Sequence, residues 1–368
     1  MSPRRRLARA ALVVVAAAAT SCADEELVVI GEEGERLDVH FDDRFELCAG
    51  TVAAYDRGIV SVAEQLDLDV DSFEHMTFTW LDRPDYEDAS AFFLEDATGW
   101  AWGSKSYGTR PYMFHEAVHM VSQQEVYDAN VLLVEGLATA FEDDGGVNTR
   151  VRAPGRREDP RPYVGKRHGE MSYSVAGHFV TYLLGRFGTE RFWELYRAVG
   201  YLATGGRFRR RFRAIYGLDL DEAVDDYMNN ETCPEDAQAI PLPPSCAAPE
   251  LPWRGDVWVV ARALDCGDDD VAGGGSPMGY FAEAAATVTI PEAGDYRVAD
   301  GSDPTVLSVL TRCGGCPWLN EPLFLDGESR VFLEAGTYSL VSGTWDPARP
   351  LVAVAIAAAG DGPAPAEE

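Results

Sequence analysis

The sequence predicts an α+β chain in two bodies, a helix-rich one followed by an all-β sandwich, and three observations carry that prediction. Apolar residues recur at helical spacing through most of the first 230 residues. Between Cys233 and Trp253 stand Pro234, Pro241, Pro243, Pro244, Pro249 and Pro252, a density that no regular element tolerates. Beyond them, about seven short runs alternate or are wholly apolar, with turn formers between, the pattern of a β-sandwich.

The elements follow in order. Thr51 to Leu66 reads as an amphipathic helix and Met76 to Leu81 alternates like a strand. Tyr112 to Tyr127 contains neither Gly nor Pro and is apolar enough for a buried helix, Val131 to Ala138 continues as an apolar helical run, and periodic helices recur from Tyr173 onward. In the second body the strands are Val257–Val260, Ala286–Ile290, Tyr296–Val298, Val306–Leu310, Arg330–Leu333, Thr337–Val341 and Leu351–Ile356. Pro291 to Asp295 and Glu334 to Gly336 supply turns.

Chemistry concentrates at His115-Glu116-Ala117-Val118-His119. On a helix, residues i and i+4 share a face, so His115 and His119 can grip one metal ion while Glu116 reaches a water bound to it. Sixteen residues after His119, Glu135 stands in the apolar run Val131-Leu132-Leu133-Val134-Glu135-Gly136-Leu137-Ala138. An unpartnered carboxylate there would cost several kcal/mol, roughly, and a metal would be the partner. Two histidines, one glutamate and an open fourth position form the ligand set of a catalytic zinc rather than a closed structural one.

With this pair of motifs the chain resembles the gluzincin metallopeptidases, specifically the peptidase MA-like group, in which HExxH is followed by a helix opening with EGxA. Tyr173-Ser174-Val175-Ala176-Gly177-His178-Phe179-Val180 and Phe212-Arg213-Ala214-Ile215-Tyr216-Gly217 extend the resemblance, which covers about residues 75 to 228. It implies a zincin-like fold, zinc held by His115, His119 and Glu135, and Glu116 as general base, taking a proton from the water and passing it to the leaving amine. Tyr173 is the candidate donor to the oxyanion, with a purely structural aromatic as the alternative. The "AGDY" and "AGTY" turns of the second body resemble those of the pre-peptidase C-terminal domain, a non-catalytic module of exported peptidases.

The N-terminus reads as an export signal over residues 1–21. Arg4, Arg5, Arg6 and Arg9 precede the apolar stretch Ala10 to Ala19, and Ala19-Thr20-Ser21-Cys22 resembles a bacterial lipobox. On that reading Cys22 is lipidated, anchoring the protein to the cell envelope; the alternative is an ordinary secretory signal and a soluble secreted protein. Residues 22–36 form an acidic tether, 37–232 the catalytic domain, 233–253 a proline-rich linker, 254–360 the sandwich and 361–368 a disordered tail. Apart from Cys22, six cysteines remain, Cys48, Cys233, Cys246, Cys266, Cys313 and Cys316, which reads as disulfides in an oxidising compartment. Six cysteines allow 15 connectivities; a Cys48–Cys233 bridge is one that would tie the ends of the catalytic domain together. The Cys313-Gly314-Gly315-Cys316 pair has no second CxxC, so a structural role is expected for it.

Charge excludes one class of partner. The chain carries 31 basic and 61 acidic residues, and cleavage before Cys22 removes four arginines and no acid, leaving a formal charge of −34. Such a surface repels nucleic acid. A basic segment nonetheless joins the Glu135 and Tyr173 helices, with Arg150, Arg152, Arg156, Arg157, Arg161, Lys166 and Arg167, and is read either as a selector of acidic substrates or as a solvated loop. His40, His75, His168 and His178 stand singly and carry no assigned role, and Asp268 to Asp270 read as an exposed acidic turn. The expected activity is therefore that of a monomeric, exported zinc metallopeptidase acting on a peptide or protein. The rivals are a catalytically silent zinc-binding lipoprotein and a zinc amidase acting on a non-peptide substrate.

Overall fold

The computed structural model describes residues 29–82, 85–86, 98–142, 158–229, 242–277, 279–314 and 322–359. The first body opens with strands β1 (Val29–Glu32), β2 (Leu37–Asp42) and β3 (Glu46–Leu47), followed by helix α1 (Thr51–Gln65). Strands β4 (Met76–Trp80), β5 (Gly99–Trp102) and β6 (Lys105–Gly108) complete a five-stranded sheet ordered β1-β2-β4-β6-β5, in which β2, β4 and β6 run parallel and both edge strands are antiparallel. Period-two alternation sets its buried face: Leu37, Val39 and Phe41 on β2 and Met76, Phe78 and Trp80 on β4 all point into one core.

Helices α2 (Phe114–Glu125), α3 (Val131–Phe141), α4 (Tyr173–Ala198), α5 (Gly205–Tyr216) and α6 (Leu220–Asn229) pack around that sheet. Helix α2 is buried all round from Phe114 to Ser122, which places its polar side chains inside the protein. Its first turn is held from α1, because the Met113 N–H donates to the Tyr55 hydroxyl oxygen at 2.7 Å. Asn130 caps α3 through its side chain, and Gly136 lets α3 approach α4 closely: a Cβ there would lie 2.6 Å from the Ala176 carbonyl oxygen.

The second body is a sandwich of β7 (Val257–Ala263), β8 (Val271–Ser276), β9 (Gly279–Ile290), β10 (Gly294–Asp300), β11 (Val306–Arg312), β12 (Leu323–Leu325), β13 (Glu328–Leu333), β14 (Gly336–Thr344) and β15 (Leu351–Ala358). One sheet is ordered β13-β10-β15-β7 and the other β12-β11-β14-β9-β8-β3, with Trp258, Val288, Leu310, Leu340 and Ile356 in the core between them. The chain is α+β, as the sequence predicts.

The boundaries differ from the sequence reading in three ways. Residues 29–32, assigned to the tether, are strand β1, paired with Val39 to Asp42. The six-stranded sheet is completed by β3 of the first body, Glu46 pairing with Gly275 and Leu47 with Gly274. Cys48 is bonded to Cys266, not to Cys233, and Cys246 to Cys313. The described part of the linker is packed: Pro244 and Ser245 are buried, the Ser245 hydroxyl donates to that of Ser339 at 3.2 Å, and the Leu242 N–H donates to the Gln65 side chain of α1 at 2.6 Å. Prolines exclude a helix or strand, but a proline ring is an apolar surface that a neighbouring sheet can bury. The signal segment and Cys22, Cys233, Cys316 and the tail at 361–368 lie outside the described residues; among the described ones no helix is long and apolar enough to cross a membrane.

Candidate metal centre

Helix α2 presents His115 and His119 one turn apart, their rings 4.7 Å apart at 84°, and α3 delivers Glu135 between them. Glu135 Oε2 lies 3.3 Å from His115 Nε2 and 3.4 Å from His119 Nε2. All three side chains are buried, and their ligand atoms lie within 4.8 Å of one another. Two atoms bound to one ion at about 2.1 Å with tetrahedral angles sit about 3.4 Å apart. The separation from Glu135 to each histidine matches that edge, so the three residues brought together here fit a metal ion.

The same groups interact strongly with one another. Burial alone would drive the His115 pKa down, but hydrogen bonds to Glu135 and Glu142 outweigh it and hold the imidazole well above its usual range. Burial alone would raise Glu135, and the facing imidazoles of His119, His115 and His168 hold it well below the usual carboxylate range. As protein groups alone the pair is therefore imidazolium and carboxylate, and a metal ion must displace the His115 proton but none from Glu135. Metal affinity is accordingly expected to fall as the pH falls, with proton release on loading. Competition with a chelating dye between pH 6 and 8 checks this; a pH-independent affinity would contradict it.

Two supporting residues escaped the sequence reading. Glu142, just past the end of α3, is buried and places Oε2 2.7 Å from His115 Nδ1, the arrangement that fixes a metal-binding imidazole in one tautomer. It lies seven residues after Glu135, two helical turns along the same face, so its spacing was a usable signal. His168, read as having no role, instead brings Nδ1 to 3.1 Å from Glu135 Oε1 from the short turn His168–Glu170. No periodicity links it to the motif. Replacing Glu142 by glutamine is expected to lower metal affinity by roughly 10- to 100-fold with the fold retained. Unchanged affinity in a metal titration would remove Glu142 from the centre.

Glu116 is buried on α2 beside the ligands. The edge strand β5 passes close to it: a Cβ on Gly99 would lie 2.5 Å from Glu116 Oε1, so a larger residue there would displace the carboxylate. Tyr173, at the first turn of α4, has its ring 5.9 Å from that of His115. Two of the basic segment's described charges are taken up elsewhere. Arg161 is paired with Asp159 and Asp225, and Lys166 with Glu170, while Arg150, Arg152, Arg156 and Arg157 lie outside the described residues. Elsewhere His75 pairs with Asp38 at 2.9 Å, and the acidic turn is closed by Arg262, which bridges Asp268 and Asp270.

No family model and no curated protein matches the chain. Among solved structures, similar ones are the pre-peptidase C-terminal domain of a collagenase from Bacillus anthracis, 12% identical over 30% of this chain and 92% of that one, with a TM-score of 0.19. Another is PliG, a periplasmic lysozyme inhibitor of g-type lysozyme from Aeromonas hydrophila, 11% identical over 30% of this chain and 95% of that one, with a TM-score of 0.21. At these scores neither likeness bears on the function, and the sandwich rests on its own strand pairing.

Proposed function

We propose that the protein is an exported, zinc-dependent metallopeptidase of the gluzincin kind. The observation that carries this reading is the buried convergence of His115, His119 and Glu135 with Glu116 on the same helix. A zinc ion held by the three ligands supplies Lewis acidity and lowers the pKa of water to about 7. Glu116 accepts the proton from the attacking water and returns it to the leaving amine. Glu142 holds His115 in the tautomer that directs Nε2 toward Glu135 and His119, and His168 holds the other oxygen of Glu135. Tyr173, whose ring lies 5.9 Å from that of His115, is assigned as the donor to the developing oxyanion. The disulfides Cys48–Cys266 and Cys246–Cys313 fit an oxidising compartment, in keeping with export and with lipid attachment at Cys22.

The test is metal content by mass spectrometry on the mature protein combined with cleavage of a peptide library. One zinc per chain and peptide cleavage that a chelator abolishes and zinc restores is the expected result. Zinc without peptide cleavage would move the assignment to an amidase on another substrate or to a silent binding protein.

A further inference from the structure

Large apolar side chains on the surface of the first body are few and gathered in one place. Among its described residues, five are exposed, and four of these, Trp102, Tyr127, Tyr201 and the adjacent Leu202, are linked through the segment that follows α2. Trp102 is 59% exposed, Tyr127 47%, Tyr201 42% and Leu202 81%. The Trp102 and Tyr127 rings meet edge to face at 4.9 Å. The Tyr201 N–H donates to the carbonyl oxygen of Asp128, next to Tyr127, at 2.8 Å. The Tyr201 ring in turn lies 5.9 Å from that of His168, whose Nδ1 is 3.1 Å from Glu135. The strip therefore ends one imidazole away from the metal ligands.

These side chains stand on fixed backbone. The Gln123 amide clasps both sides of Trp102, accepting from the Gly103 N–H and donating to the Ala101 carbonyl. The neighbouring strong charge is already neutralised, Arg197 being paired with Glu125 at 2.6 Å. Rigid aromatic groups held in water beside a reaction centre are suited to an apolar ligand, because little ordering remains to be done on binding. An extended chain advances about 3.3 Å per residue. A strip separated from Glu135 by one imidazole thus lies within a few residues of the reacting bond.

We infer that the strip of Trp102, Tyr127, Tyr201 and Leu202 selects the substrate, and that the centre acts on peptide segments carrying a large aromatic or aliphatic side chain close to the scissile bond. This rests on the hydrolytic reading above for the reaction, though not for the binding. Of the basic segment's described cations, Arg161 is paired with Asp159 and Lys166 with Glu170.

The experiment takes position-scanned peptides bearing Phe, Ser or Asp and measures two quantities. One is their binding, by fluorescence anisotropy, to the zinc-loaded Glu116→Gln protein; the other is their cleavage by the wild type. Both are repeated in Trp102→Ser, Tyr201→Ser and Leu202→Ser backgrounds, the last being the most exposed position and the safest for folding. Phe at one or two positions is expected to bind best, and the strip variants to lose about tenfold for Phe peptides and less than twofold for Ser peptides, with zinc content unchanged. Equal losses on all peptides, or a preference for Asp, would overturn the inference. Strip-dependent binding without cleavage by the wild type would sink the hydrolytic reading and leave the surface standing; indiscriminate cleavage with no effect of the variants would do the reverse.

Discussion

Glu116→Gln is expected to keep its zinc and its fold while losing hydrolysis by roughly 10²- to 10⁴-fold. Glutamine matches glutamate in size, which matters here because β5 passes close enough for a Cβ on Gly99 to lie 2.5 Å from the carboxylate. The three ligands are left untouched, so metal content should equal that of the wild type. What disappears is the ability to accept a proton, since an amide cannot act as a base at neutral pH. His119→Ala and Glu135→Ala differ in kind, removing one ligand each and lowering metal affinity together with activity. The comparison needs metal analysis and single-turnover cleavage on the same preparations. Full activity in Glu116→Gln would rule out the mechanism, and loss of zinc from it would mean that Glu116 is a ligand rather than a base.

How much of this was legible depends on whether a signal is local. The HExxH spacing and the acidic residue in an apolar helix are local, and His115, His119 and Glu135 do converge. So are the alternating runs of β4, which the structure ends one residue earlier at Trp80, and of β14, which it lengthens at both ends. Strand β8 was missed because Val271-Ala272-Gly273-Gly274-Gly275-Ser276 has almost no β-branched character; its glycines serve close approach, a Cβ on Gly274 lying 2.9 Å from the Trp80 indole. Strands β5 and β6 were missed for a similar reason, being short and containing Gly99 and Gly108. Residues such as His168 reach the centre through tertiary packing alone, which no sequence period encodes.

The same limitation governs the relation between the two bodies, and it reverses an expectation. Proline density suggests separable units, and on that reading a chain ending near Asn230 keeps its metal. The structure predicts the opposite outcome: that chain is expected to be unfolded or strongly destabilised and to bind zinc poorly. Removing the sandwich strips β3 of its partner β8, leaves Cys48 without Cys266 and uncovers the buried Thr51, whose hydroxyl donates to the Gly273 carbonyl and accepts from the Gly273 N–H, both at 2.9 Å. Thr51 begins α1, and α1 supplies the Tyr55 hydroxyl that satisfies Met113 at the head of the histidine helix. Damage at the seam thus reaches the metal ligands through one helix. A milder version breaks the Cys48–Cys266 bond alone. Its partners are 218 residues apart in sequence, and on the chain-entropy account a loop of that size stabilises by about 5 kcal/mol. Cys48→Ala with Cys266→Ala is therefore expected to lower the melting temperature by roughly 5 to 10 °C, read by calorimetry in the presence and absence of zinc. A truncated chain that melts cooperatively and holds one zinc would overturn this coupling and restore two independent domains.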